Sequence, residues 1–228
     1  MVKMSEAKLK LEIQTDKKGR LILDLGRRGL FKLPQAVFTL NELNVLDLSF
    51  NSLESLPGDA SKLRDLTNLK LSHNNLSQLP KSIGDLVNLT QLLLNDNGLS
   101  SLPASITQLK KLQELDVSNN NLRELSESIG HLVNLTQLLL NDNGLSSLPA
   151  SIKQLKKLRE LDLSNNKLKG VFKDIANLEH LKRLCVEGNP LNVDEMKSLI
   201  ELTNKNLSLL IDIAGETLII QLTSCTLS

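Results

Sequence analysis

Leucine recurs at a fixed interval of 23 residues from Arg20 to about Ile200, and this period constrains the fold more than any other feature of the chain. Blocks begin at Arg20, Leu43, Leu66, Leu89, Leu112, Leu135, Leu158 and Leu181. A unit this short cannot bury its own apolar side, so neighbouring copies must stack and share one continuous core. Residues 89–111 read LTQLLLNDNGLSSLPASITQLKK. Leu89, Leu92 and Leu94 suit a short strand with one buried face. Pro103, Ile106 and Leu109 suit a helical or irregular return on the opposite side.

The turn after each strand leaves backbone groups pointing inward, where they must be paired. Asn51, Asn74, Asn97, Asn120, Asn143, Asn166 and Asn189 fall at that one position, and an amide side chain both donates and accepts. A structural asparagine ladder is expected. Arg28 stands at that place in the first block, beside a terminal cap.

The pattern L-x-x-L-x-L-x-x-N-x-L followed by x-x-L-P-x-x-I-x-x-L is identified as the leucine-rich repeat. Leu33-Pro34, Leu56-Pro57, Leu79-Pro80, Leu102-Pro103 and Leu148-Pro149 resemble the 23-residue repeats of intracellular proteins such as the Ras-suppressor and Scribble-like groups. The opening LKLEIQTDKKGRLILDLGRRGLFKLP and the closing VEGNPL are similar to small repeat-only proteins. The resemblance spans roughly residues 8–213 and implies an α/β solenoid: a right-handed superhelix with a concave parallel β-sheet and a helical or irregular convex face. It also implies protein binding without naming a partner.

The expected organisation is an N-terminal cap over 1–19, seven repeats over 20–180, a last repeat with a helical cap over 181–213, and a tail over 214–228. Ser5 to Thr15 is read as a helix with Leu9 and Ile13 on one face, although Leu9, Leu11 and Ile13 also alternate as a strand would. At the other end Val193, Met196, Leu199 and Ile200 have helical spacing. Residues 82–120 and 128–166 differ at four pairs only, Asp85/His131, Thr107/Lys153, Gln113/Arg159 and Val117/Leu163, so a two-repeat unit has been copied.

Composition removes several function classes. A net charge of +1 supplies no field toward nucleic acid, and with no Trp or Tyr and four Phe the platforms on which bases stack are absent. His73, His131 and His180 have no metal-ligand spacing with Cys185 or Cys225. No phosphate loop, nucleophile elbow or zinc-protease motif occurs, so neither catalysis nor a cofactor is expected. Two cysteines and an opening without an apolar leader favour the cytoplasm.

Candidate function therefore lies on the concave wall. At the fifth position of each block the series runs Asp24, Asp47, Lys70, Leu93, Asp116, Leu139, Asp162, Cys185. Leu93 and Leu139 are apolar where the pattern expects solvent, and Glu114, Asp116, Glu160, Asp162, Asp96 and Asp142 surround them. Two readings stay open: a groove for a basic, partly hydrophobic peptide, or a common aspartate beside one leucine duplicated with its repeat. The convex pairs Lys110-Lys111 and Lys156-Lys157 read as solvated charges.

Cys185 is expected to be a partly accessible thiol. Cys225-Thr226-Leu227-Ser228 matches the C-terminal prenylation pattern, which would bring in a membrane; an incidental tail is the other reading. The apolar segment from Thr217 to Leu222 should be covered, by the solenoid end near Met196 to Leu202 or by a second chain, giving a monomer or an end-to-end dimer. The leading expectation is an interaction module or scaffold. An innate-defence module for microbial surface molecules and an engineered scaffold are the alternatives.

Overall fold

The computed structural model describes residues 6–169, 172–192, 194, 195, 197, 198, 210–213 and 216–219. Nine strands form one sheet in chain order: β1 Gln14–Thr15, β2 Leu21–Asp24, β3 Val45–Asp47, β4 Asn68–Lys70, β5 Gln91–Leu93, β6 Glu114–Asp116, β7 Gln137–Leu139, β8 Glu160–Asp162 and β9 Arg183–Cys185. From β2 onward every pair is parallel, and the partner of each residue lies 23 positions further on, as Leu92 opposite Leu115 and Leu115 opposite Leu138. The sequence period is thus the strand register itself.

Strand side chains alternate across the sheet. The central residues Leu23, Leu46, Leu69, Leu92, Leu115, Leu138, Leu161 and Leu184 all point into one core that runs the length of the array. Residues on either side of them in each strand face the concave surface.

The return path is a run of 3₁₀ turns: Gln35–Thr39, Gly58–Lys62, Lys81–Asp85, Ala104–Gln108, Glu127–His131 and Ala150–Gln154. Proline caps four of them, with Pro34, Pro80, Pro103 and Pro149 extended at φ −60, −68, −67 and −69. Its fixed φ suits that place and its missing N–H costs nothing there. In the fifth repeat, which lacks proline, Ser126 takes over, its Oγ accepting from the Ser128 N–H. Glu127 then fastens the next repeat by accepting from the Ala150 and Ser151 N–H groups at 3.0 and 2.9 Å. Gly130 permits this close stacking, because a Cβ there would sit 2.6 Å from that of Ser151. In the seventh repeat the return is a short helix, α2, Phe172–Ile175.

At the N-terminal end the helix is α1, Glu6–Glu12, shorter than the span to Thr15 expected from its apolar face. Gln14 and Thr15 instead pair antiparallel with Ile22 and Leu21, because the open edge of β2 offers unpaired backbone groups. Both periodicities written into this stretch are used, one after the other. The hairpin turn is held by Asp16, whose carboxylate accepts from the Lys18 and Arg20 N–H groups and from Arg20 Nε. Leu9 is fully buried, while Leu11 stands 87% exposed.

At the other end Asn192 opens a helical turn at Asp194. Its Oδ1 accepts from the Asp194 and Glu195 N–H groups, and Glu195 Oε2 accepts from the Asn192 N–H. This reciprocal arrangement is a capping box. Val193, Met196, Leu199 and Ile200, the residues expected to close the core, lie outside the described set. Further on, β10, Leu210–Ile213, pairs antiparallel with β11, Glu216–Ile219. Leu210–Ile213, assigned to a helical cap from sequence, is extended. Thr217 pairs with Asp212 of its own chain in this hairpin, and β10 lies against β9, the last strand of the solenoid. Cys225 lies outside the described residues. Among those described, no helix is long and apolar enough to cross a membrane.

Candidate functional site

The expected asparagine ladder is present. Asn120 Nδ2 donates to the carbonyls of Leu94, Val117 and Ser118, and its Oδ1 accepts from the Leu99 N–H at 2.9 Å. Asn51, Asn74, Asn97, Asn143, Asn166 and Asn189 repeat the pattern. At the first block the Arg28 N–H donates to Asn51 Oδ1, and the Arg28 side chain turns to Glu12 at 3.2 Å. These groups hold the backbone and leave the concave wall to other residues.

Register places Leu93 beside Asp116, Asp116 beside Leu139, and Leu139 beside Asp162. Leu93 and Leu139 are partly exposed and neither belongs to the core cluster. Their backbones are two strand spacings apart, about 9.6 Å. The acidic residues differ in what they are already doing. Asp116 and Asp162 each accept from the N–H and hydroxyl of the serine two residues on, at 3.0 and 2.7 Å for Ser118 and 3.0 and 2.6 Å for Ser164. Asp142 accepts from Asn141 and Asn165, and Asp96 from Asn95, Asn119 and the His73 ring. Glu114 accepts from Gln91.

Glu160 is neutralised: Arg183, one repeat on at the same strand position, lies 2.8 Å away. The sequence reading placed Glu160 in an acidic surround without this partner. Among the described residues Glu114, Asp116, Asp142 and Asp162 have neutral hydrogen-bond donors and no cation within ion-pair distance. Those four carboxylates are thus without a direct ion pair, although Arg183 also acts on Asp162 through space.

Cys185 is half-buried on the same wall. Burial pushes its thiol up from the ordinary value, and the Asp162 and Glu160 charges add to this against the opposing Arg183. A raised value leaves less of the reactive thiolate at neutral pH. The convex lysines brace repeats: Lys110 and Lys156 Nζ donate to the carbonyls of His131 and Asn177, and Lys111 and Lys157 to the amides of Asn88 and Asn134. Among the described residues no group of His, Cys, Asp and Glu could hold a metal ion.

A second concave feature was missed from sequence. The residue just before each ladder asparagine, or before Arg28 in the first block, has positive φ: Arg27, Phe50, His73, Asp96, Asn119, Asp142, Asn165 and Gly188. Asp, Asn and Gly tolerate this conformation; Arg, Phe and His adopt it at a cost of about 1–2 kcal/mol each. The three stack, Arg27 over Phe50 at 4.1 Å and Phe50 on His73 at 4.1 Å. They wall a trough of about 420 Å³ whose other side is Asp24, Asp47 and Lys70. Burial pushes the Asp47 carboxyl up, but the Ser49 N–H and hydroxyl and the Lys70 ammonium, 3.1 Å away, outweigh it and hold the group below its ordinary value. The signal available in the sequence was the change from Arg, Phe and His to Asp, Asn and Gly down one 23-residue column.

The family model for the leucine-rich repeat matches residues 22–76, 42–99 and 87–145, and a two-copy model of the same repeat matches 133–180. The chain belongs to the leucine-rich repeat family, whose members are generally non-catalytic protein-interaction modules. It is similar to a leucine-rich-repeat protein of Leptospira interrogans, at 32% identity and TM-score 0.64, over 84% of this chain and 55% of that one. An internalin of Listeria monocytogenes shares the fold at 22% identity and TM-score 0.74, over 84% and 55%. The plant peptide hormone receptor RGFR1, solved in complex with RGF2, is 30% identical at TM-score 0.70, over 89% of this chain and 37% of that one. The chain thus spans about half of the two bacterial structures and less of the plant receptor. No curated protein matches it.

Proposed function

We propose that this chain is a non-catalytic interaction module of the intracellular 23-residue type, acting in the cytoplasm, and that its concave wall takes a basic, partly apolar peptide segment of a partner protein. The observation that carries the reading is the pair Leu93 and Leu139, partly exposed on either side of Asp116, with Asp142 and Asp162 beside them and none of the three carboxylates in a direct ion pair among the described residues. Removing the leucines from water supplies affinity, and the carboxylates select positive charge and speed encounter. The plant receptor RGFR1, solved with RGF2, lends support to peptide binding by a solenoid of this shape.

The test is selection of random displayed peptides on the purified chain, followed by binding measurements on Leu93→Asp and Leu139→Asp. Enriched peptides should combine Lys or Arg with aliphatic residues, lose at least tenfold in affinity on either substitution, and weaken with added salt. Peptides that ignore both substitutions would overturn the proposal.

A further inference from the structure

The copied unit builds the same apolar and acidic station twice, and the spacing between the stations restricts what can occupy both. Leu93 and Leu139 lie two strands apart in a parallel sheet, about 9.6 Å at the backbone, and less at the side-chain tips because the wall is concave. An extended strand laid across the sheet puts same-side residues about 6.8 or 13.6 Å apart, so it fits one station and misses the other. An α-helix repeats its face after seven residues, about 10.5 Å, which overshoots a gap that narrows toward the ligand. A polyproline II helix has three residues per turn and rises about 3.1 Å per residue, so residues three apart lie on one edge at about 9.3 Å.

We propose that the concave site binds its partner peptide in polyproline II conformation, with apolar side chains three residues apart seated on Leu93 and Leu139 and basic residues between them. This rests on the concave peptide-binding reading above and adds the ligand's conformation and register. The rest of the wall agrees with it. The two residues between the apolar anchors point to either side of the seam. One side is the row Gln91, Glu114, Gln137; the other is Asp96, Asn119, Asp142. Carboxylates therefore stand on both sides, and Asp116 lies beneath, between the two leucines.

A polyproline II backbone makes no internal hydrogen bonds and needs partners for its carbonyls. Gln137 offers one. Its copy, Gln91, is occupied, accepting from Asn68 and donating to Glu114 at 2.7 and 2.6 Å, whereas the Gln137 amide has no partner among the described residues.

Three labelled peptides of one composition, rich in Pro and Lys, carry two leucines separated by two, three or four positions; a fourth, helical Ala/Lys peptide has them seven apart. Binding is read by fluorescence anisotropy on wild type, Leu93→Asp, Leu139→Asp and Gln137→Ala. The three-apart peptide should bind at least tenfold tighter than its isomers and than the helical peptide. Either aspartate substitution should erase that preference, and Gln137→Ala should weaken this peptide severalfold. If the isomers bind equally or the helical peptide binds best, yet the aspartate substitutions still abolish binding, the register is wrong and the concave site stands. If no peptide distinguishes wild type from the aspartate variants, both fall. Far-UV circular dichroism of each variant excludes unfolding as the cause of a loss.

Discussion

Neighbouring ladder asparagines share their acceptors, so their contributions to stability should not add. Asn120 Nδ2 and Asn143 Nδ2 both donate to the Val117 carbonyl, at 3.1 and 3.0 Å. In Asn120→Ala the Val117 and Leu94 carbonyls each keep one donor, from Asn143 and Asn97 respectively. The group left without a partner is the Leu99 N–H, which was 2.9 Å from Asn120 Oδ1. One orphaned buried donor costs about 1–3 kcal/mol, so with some loss of packing the single substitution should cost about 2–4 kcal/mol.

Asn143→Ala is equivalent, orphaning the Leu122 N–H. The double variant removes both donors to Val117 O and adds an unpaired carbonyl that neither single change creates. A coupling of about 1–2 kcal/mol beyond the sum is expected. Asn74 and Asn143 share no carbonyl, since Asn74 donates to Leu48, Leu71 and Ser72, and that pair should be additive within about 0.5 kcal/mol. Urea unfolding followed by far-UV circular dichroism measures both cycles. The slope with denaturant must be compared throughout, because a repeat array can unfold in pieces. Equal additivity in the two pairs would refute the shared-acceptor account.

Leu94→Ala should cost about 2–5 kcal/mol in the same assay, because Leu94 is fully buried; a loss below about 1 kcal/mol would contradict its core position. Cys185 should react slowly with a thiol reagent at neutral pH once Cys225 is replaced by Ser, and Asp162→Asn should speed it by removing one of the charges that raise the thiol; an unchanged rate would discard that electrostatic cause. Glu127 is held below its ordinary value of 4.5, by Ser151 first, from whose N–H it accepts, and then by the Ala150 N–H and the Lys153 charge, with desolvation opposing them. Because its folded value is depressed, its stabilisation is present above about pH 4.5 and lost as pH falls through the folded value. The melting temperatures of wild type and Glu127→Gln should therefore converge on acidification, and a constant gap down to pH 2 would contradict this.

Much of the concave site was legible because a 23-residue period converts position in sequence into position on the wall. Leu93, Leu139 and their acidic neighbours could be placed by counting, and the register bears the counting out. What counting missed was which of those charges are already satisfied. Glu160 looks like part of an acidic rim until Arg183, 23 residues on, is seen 2.8 Å away. Arg27, Phe50 and His73 look like three unrelated residues until positive φ at each aims them into one stack.

The sequence by itself determined the architecture, since neither apolar face of a single repeat can leave water except against the next repeat, and seven inward asparagines can be paired only by stacking in register. Tertiary structure alone decided how the ends were finished and how the wall was charged. Whether Gln14 and Thr15 extend a helix or pair with β2 depends on an open strand edge that no local pattern encodes. Whether a carboxylate is free depends on a side chain one repeat away, at a distance set by strand spacing and rotamer. Local propensity fixes the first kind of choice weakly, whereas hydrogen-bond satisfaction across repeats fixes the second, and that is a property of the assembled array.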